Sequence, residues 1–346
     1  MVIDKISIES SQCNRDYSIS GVRLISMCFI VVCHLMQRDC FASDVFGGHI
    51  EWAFWFNVGV QMFLFISGFL YGKKDRIAAI VFYKKSFPKL LIDYYIFIIP
   101  MLLLMIWSPL MSIDKYDIWS LLTLSGTVPG LEHLWFVPTI LFCYLLVPVF
   151  SEIINAVDKH GNVVFIVESV LLMLIVHIVV SCFFSFFTPA WITCFVLGMI
   201  YSRIEVRDTV RTIFLILSIV VCLFIIPVQF RLDYWPHEKL PEVLASRYDS
   251  FVQYGHVFLG VVLVVLIRAI YIRINQESHK HWLLNWSDKY SYDVYLVHHV
   301  FIQSTFGCVE FISNRWIAIP MAFVLTIITS MLLHAVSAFI KGKIYG

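Results

Sequence analysis

Apolar residues in this chain come in long unbroken runs rather than in the stripes of a soluble domain. About twenty consecutive apolar residues are needed for a helix to cross ~30 Å of hydrocarbon. Runs of this kind lie near residues 20–37, 52–72, 88–107, 133–151, 163–184, 189–202, 212–230, 251–271, 290–311 and 316–340. Only helices and closed barrels satisfy their own backbone groups in lipid, so the runs predict an all-α, polytopic integral membrane bundle of about ten transmembrane helices. The run at 189–202 is the shortest, and it follows the aromatic cluster Phe183, Phe184, Phe186 and Phe187.

Composition agrees with this pattern. Of the 346 residues, 60% are hydrophobic and 14% charged, whereas a soluble domain is roughly half apolar and about a quarter charged. The longest connections lie near 73–87, 108–132, 231–250 and 272–289. None is large enough for a separate soluble domain, so residues 1–346 read as a single transmembrane domain. Lys and Arg are divided unevenly between the two sides. Nineteen of the 25 fall on the side that holds the N-terminus and six on the other. The positive-inside rule then places both termini in the cytoplasm. The first run is too long for the apolar core of a signal peptide and reads as an uncleaved span. A net charge of +1 offers no overall field for nucleic acid. The nine cysteines show no CxxC or Cys/His spacing. Those in apolar runs, such as Cys28, Cys33 and Cys194, read as small core residues, with neither a metal site nor a disulfide framework.

The polar residues inside the runs carry the candidate chemistry. Arg23 and His34 stand eleven residues apart in the first run. Eleven helical steps of about 100° come within ~20° of three full turns, so both share one face, about 16 Å apart along the axis. Such a stripe is costly in lipid and has to face protein, water or a ligand. Arg23 reads either as a positive-inside anchor or as a phosphate-binding group. His34 reads either as a core histidine bonded across helices or as a general base. The segment Lys73 to Lys89 holds six basic residues, including Lys84, Lys85 and Lys89, and serves either topology or the binding of a polyanion. Glu132-His133-Leu134-Trp135 opens the fourth run, where an interfacial aromatic belt is the alternative reading. Ser291, Tyr295 and His298 lie at i, i+4 and i+7 on one helix face, a polar stripe that turns toward the bundle interior. Asp293, His177, Glu168, Glu310 and His334 read as satisfied packing or lining groups.

Together these stretches resemble the membrane acyltransferase family 3, which includes bacterial O-acetyltransferases of surface glycans. That family opens with an Asp-Gly-x-Arg-like turn followed by a histidine, matched here by Gly21, Arg23 and His34, with Ser20 where Asp is frequent. Its second span is similar to Gly59 through Leu70. A His-Leu-Trp-Phe segment is matched by His133 to Phe136 with Tyr144 and Pro148, and a Ser-Tyr-x-x-Tyr-Leu-x-His segment by Ser291 to His298. The matches run from about residue 17 to 300. One departure stands out: where the family often has two arginines and then a proline, this chain has Ser86, Lys89 and Asp93. A guanidinium fork is not replaced by an ammonium.

The resemblance implies an acyltransferase of the bacterial inner membrane. It would move acetyl, or another short acyl group, from cytoplasmic acyl-CoA to a hydroxyl of a surface glycan (O-antigen, capsule or exopolysaccharide), with no metal. The acceptor glycan, possibly lipid-linked, and membrane lipid are the expected partners. On this reading Arg23, Lys84, Lys85 and Lys89 hold the CoA phosphates. Arg23 and His34 form the catalytic pair, and His34 either deprotonates the acceptor or transiently takes the acyl group. His133, Trp135, Ser291, Tyr295 and His298 line the site. The competing expectation is a transporter or flippase for a lipid-linked sugar, which would line its path with the same polar residues.

Overall fold

The computed structural model describes residues 16–38, 51–74, 77–110, 113–233, 242, 247–274 and 281–345. The N-terminal residues 1–15, Arg76, most of the connection at 231–250 and residues 275–280 of the connection at 272–289 lie outside the described residues.

The chain is an all-α membrane bundle, with no strand among the described residues. Its first elements are α1 (Tyr17–Gln37), α2 (Glu51–Phe56), α3 (Val58–Gly72), α4 (Ala79–Trp107) and α5 (Lys115–Thr123). A 3₁₀ turn (Glu132–Trp135) leads into α6 (Phe136–Val157), α7 (Asn162–Phe183), α8 (Pro189–Ile204) and α9 (Asp208–Asp233). The chain ends with α10 (Tyr248–Ile274), α11 (Trp282–Ile302), α12 (Cys308–Phe311) and α13 (Arg315–Tyr345). Among the described residues eight helical stretches are long and apolar enough to cross a membrane, and α8 is a shorter apolar helix. The ninth sequence run corresponds to α11, which is more polar because it carries Asp288, Lys289 and Asp293.

Two predicted boundaries need correction. The third predicted span, α4, starts at Ala79, not near 88, so Lys84, Lys85 and Lys89 ride exposed on its first turns rather than in a loop. Pro88 sits inside this helix. It removes one backbone hydrogen bond without ending the element; the carbonyl freed four residues back is that of exposed Lys84. The run at 290–311 is not one helix either. α11 closes at Ile302, where the amides of Gln303 and Ser304 both reach the His299 carbonyl. The Ser304 hydroxyl then bonds the Val300 carbonyl and accepts from the Phe306 amide, turning the chain into α12.

Successive long helices alternate in direction, and polar contacts tie one end of the bundle together. At that end Arg268 near the end of α10 donates to Glu205 after α8 at 2.5 Å, and to Asp16 and Ser18 at the start of α1 at 3.2 Å each. Burial alone would raise the Asp16 pKa. The Ser18 hydroxyl and amide together with the Arg268 charge more than offset this and hold the carboxylate below its usual range. Lys341 near the end of α13 bonds Asp93 of α4 at 2.6 Å, so the start of α1 and the end of α13 share this basic end.

α3 is the central element. Met62, Leu64, Phe65, Ile66 and Phe69 are fully buried. Lipid offers no hydrophobic drive between helices, so close packing at small residues has to hold them. α3 and α8 meet at Gly68 and Gly198, where each glycine lies against the other helix's backbone, at Phe195 and Phe65 respectively. By contrast α7, α9 and α13 turn large apolar residues outward, among them Leu171, Leu174, Leu217, Phe224, Ile328 and Leu332. These faces suit lipid.

Candidate functional site

Opposite the basic end, the bundle encloses a cavity of about 370 Å³. One wall is α1, which contributes Met27, Ile30, Val31 and His34 at helical spacing. The facing wall is α11, with Ser291, Tyr292, Tyr295, His298 and His299. The 3₁₀ turn brings Glu132, His133 and Trp135, the α2–α3 junction brings Asn57, and α8 brings Trp191. Gln37 and Gln303 also line it, as do Val60 and Phe63 of α3. Six residues singled out in the sequence (His34, His133, Trp135, Ser291, Tyr295 and His298) are therefore gathered around one space.

Four imidazoles cluster there. The His34 ring centroid lies 5.3 Å from that of His298 and 4.6 Å from that of His299, and His133 stacks on His299 at 4.4 Å. Their hydrogen bonds assign the tautomers. His133 Nε2 reaches the Leu296 carbonyl at 3.1 Å, His298 Nδ1 the Tyr295 carbonyl at 2.7 Å, and His299 Nδ1 the Gly130 carbonyl at 2.9 Å. A carbonyl oxygen only accepts, so each of these nitrogens carries its proton, and in a neutral ring the other nitrogen is an acceptor. His34 Nδ1 is 2.9 Å from Gln37 Oε1; donation there leaves His34 Nε2 as the basic nitrogen. His298 Nε2 and His133 Nδ1 are buried with no partner among the described residues. The site thus presents lone pairs rather than positive charge. No group of three or more His, Cys, Asp or Glu among the described residues is placed to share a metal ion.

The scaffold fixes these rings from behind. Tyr295 donates to the His133 carbonyl, and Gln303 donates from its side chain to the His34 carbonyl, joining α1, α11 and the 3₁₀ turn. Gly130 has φ +81° and packs on Ser304. Only a residue without Cβ brings its carbonyl to His299 in that conformation.

Arg23 and the three lysines do not reach this cavity. Arg23 lies about 16 Å back along the same face of α1, at the basic end, where it pairs with Asp288 of α11 at 3.1 Å. The Ser20 hydroxyl donates to the other oxygen of Asp288 at 2.5 Å. Asp288 therefore supplies from α11 a carboxylate beside Ser20, the position where the resemblance leads to an Asp. Lys84, Lys85 and Lys89 are exposed on α4. Asp93, which stands where the family has proline, is buried and accepts from Ser337 and Lys341. That makes Lys341, unnoticed in the sequence, the basic residue anchored beside Lys89, whose carbonyl it also bonds at 3.2 Å.

The Asp288 arrangement makes a stability prediction. Asp288→Ser removes the carboxylate that Arg23 pairs with and should cost up to about 1.5–3 kcal/mol, the range for a charged hydrogen bond. Adding Ser20→Asp should return most of that loss. Thermal unfolding of the detergent-solubilised variants measures both. A double variant no more stable than Asp288→Ser would show that the carboxylate cannot be relocated.

The remaining polar groups that the sequence offered as packing or lining are paired. His177 bonds the Tyr254 hydroxyl, His334 bonds Asp293, and Glu168 bonds His160. Glu310 pairs with Arg38. Among cavity residues the sequence reading passed over, His299 was the most accessible: it is i+8 from Ser291 and so on the stripe already recognised. Asn57, Trp191, Gln37 and Gln303 carried no such signal.

Fold and site together define a class: a multi-pass helical membrane protein with a histidine-lined cavity at one end and a basic surface at the other. A family model described as an acyltransferase domain, that of acyltransferase family 3, matches residues 16–335. The chain belongs to this family and is an acyltransferase. Comparison with curated proteins and with solved structures returns no match.

Proposed function

We propose that this enzyme transfers acetyl, or another short acyl group, from acyl-CoA on the cytoplasmic side of a bacterial inner membrane to a hydroxyl of a surface glycan. The observation that carries the reading is the α1 stripe. His34 lines the cavity, Arg23 stands at the basic end, and Met27 and Ile30 line the cavity wall between them. The basic end takes the cytoplasmic side by the excess of Lys and Arg there.

Arg23 keeps further guanidinium donors beyond the one on Asp288. With exposed Lys84, Lys85 and Lys89 it offers charges that suit the donor's phosphates. The donor supplies an activated thioester. His34 Nε2 accepts the proton of the acceptor hydroxyl as its oxygen bonds the acyl carbon and the C–S bond breaks. The proton then returns to the leaving thiolate, which leaves His34 neutral. Gln37 holds the ring in the tautomer this requires.

Arg23→Ala should raise the KM for acetyl-CoA about tenfold or more and change kcat little, since it removes binding distant from the reacting atoms. An unchanged KM would take Arg23 out of donor binding. The reading as a whole is tested with purified protein, radiolabelled acetyl-CoA, and lipid-linked or free oligosaccharide. Covalent label on the glycan is the expected result. Protein-dependent movement of unmodified lipid-linked sugar, without label, would favour a flippase.

A further inference from the structure

Next to the reaction cavity lies a polar chamber of about 820 Å³ that the proposed reaction leaves unused. It is formed by the ends of α7 and α9, the starts of α8 and α10, and Asn57. Trp191 and Asn57 line both spaces. Trp191 is held rigidly: its ring stacks on Trp135 at 3.7 Å between centroids, and its N–H donates to Gln253 Oε1 at 3.0 Å. Gln61 of α3 bonds the same oxygen at 3.2 Å. The wall between chamber and cavity is therefore a fixed aromatic face.

Deep in the chamber are polar groups that are buried but incomplete. His256 and Gln229 are each 1% exposed. Neither ring nitrogen of His256, nor Gln229 Oε1, has a hydrogen-bond partner among the described residues. Buried polar atoms are rarely left so unless water or a ligand completes them. Imidazole and carboxamide each donate and accept, which matches the paired donor and acceptor character of a sugar hydroxyl. The volume is within the ~300–1,000 Å³ typical of small-ligand pockets.

Resting on the acyl-transfer reading, we propose that this chamber is the acceptor subsite. It seats one sugar unit of the glycan, with His256 and Gln229 bonding its hydroxyls and Trp191 forming the face across which the reactive hydroxyl enters the histidine cavity. The sugar arrives either on a lipid or free. A largely apolar cavity of about 540 Å³ adjoins the chamber through His177 and Tyr254, which line both. With Met173 and Leu197 in its wall, it suits the hydrocarbon chain of a lipid-linked acceptor.

The test uses the full-length protein in nanodiscs with radiolabelled acetyl-CoA. Two acceptors are compared: the lipid-linked oligosaccharide extracted from producing cells, and the saccharide released from it by mild acid. His256→Ala and Gln229→Ala should each raise the acceptor KM at least tenfold and leave the acetyl-CoA KM within twofold. His256→Gln should recover part of the loss. Ser250→Trp, at an exposed position lining the chamber, should raise the acceptor KM without burdening the fold. Met173→Trp separates the sources: a rise confined to the lipid-linked acceptor assigns the apolar cavity to the lipid, and no rise for either acceptor assigns a sugar that enters alone. Unchanged acceptor KM in His256→Ala, Gln229→Ala and Ser250→Trp overturns the subsite. Wild-type protein that labels neither acceptor overturns the acyl-transfer reading instead, and the subsite falls with it.

Discussion

His34→Ala is expected to lower acyl transfer about 10²- to 10⁴-fold, the usual contribution of a positioned general base, while the protein remains folded. The fold should survive because α1 is held by buried Val22, Ile30, Val31, Cys33 and Met36, not by the imidazole. The His34 side chain meets Gln37 and the rings of His298 and His299, and all three partners have other attachments or line open space. The loss should appear in kcat, with the acetyl-CoA KM nearly constant, because the proposed function places the donor's charged end at the other end of α1. Initial rates with labelled donor, alongside gel-filtration of the same preparation, measure this. A variant at full rate would remove His34 from the chemistry, and a variant that aggregates would make it a structural residue.

The largest expected effect on the fold belongs to the α3–α8 contact. Gly68→Val and Gly198→Val should each prevent accumulation of a monodisperse protein. A Cβ at either position would press into the backbone of the opposing helix, at Phe195 or Phe65. Overpacking a core side chain typically costs about 1–3 kcal/mol. Here the obstacle is a backbone carbonyl, which has no rotamer to change, so α3 and α8 must separate. α3 also carries the wall residues Val60 and Phe63 and leads to Asn57, so separation would dismantle the cavity as well. Gly161→Val, where nothing lies within 4 Å, is the matched control and should express normally. Comparable yields for all three variants would contradict the close-packed arrangement.

Much of this was legible in the chain itself, for identifiable reasons. Span positions follow from the length of apolar runs, which depends on the bilayer and not on tertiary detail. The Arg23–His34 stripe and the Ser291–Tyr295–His298 stripe follow from helical periodicity, which holds because both segments are regular helices. What escaped the sequence depended on partners brought from elsewhere. Asp288 completes Arg23 across 265 residues, and Lys341 completes Asp93 across 248; neither pairing leaves a local pattern. The start of α4 is hidden because Lys84, Lys85 and Lys89 interrupt the apolar run over its first turns. The break after Ile302 was missed because residues 303–307 contain no proline and enough apolar neighbours to extend the run. The polar chamber was invisible because Gln229, His256 and Trp191 come from three helices with no shared periodicity.

The central claim is that the donor is held at the basic end and the acceptor is modified from the histidine end. The most direct test reconstitutes the enzyme in vesicles with the basic end outward, membrane-impermeant labelled acetyl-CoA outside and the acceptor glycan enclosed. Label should appear on the enclosed glycan, and His34→Ala should abolish it. Label that forms only when donor and acceptor share one compartment would contradict the account.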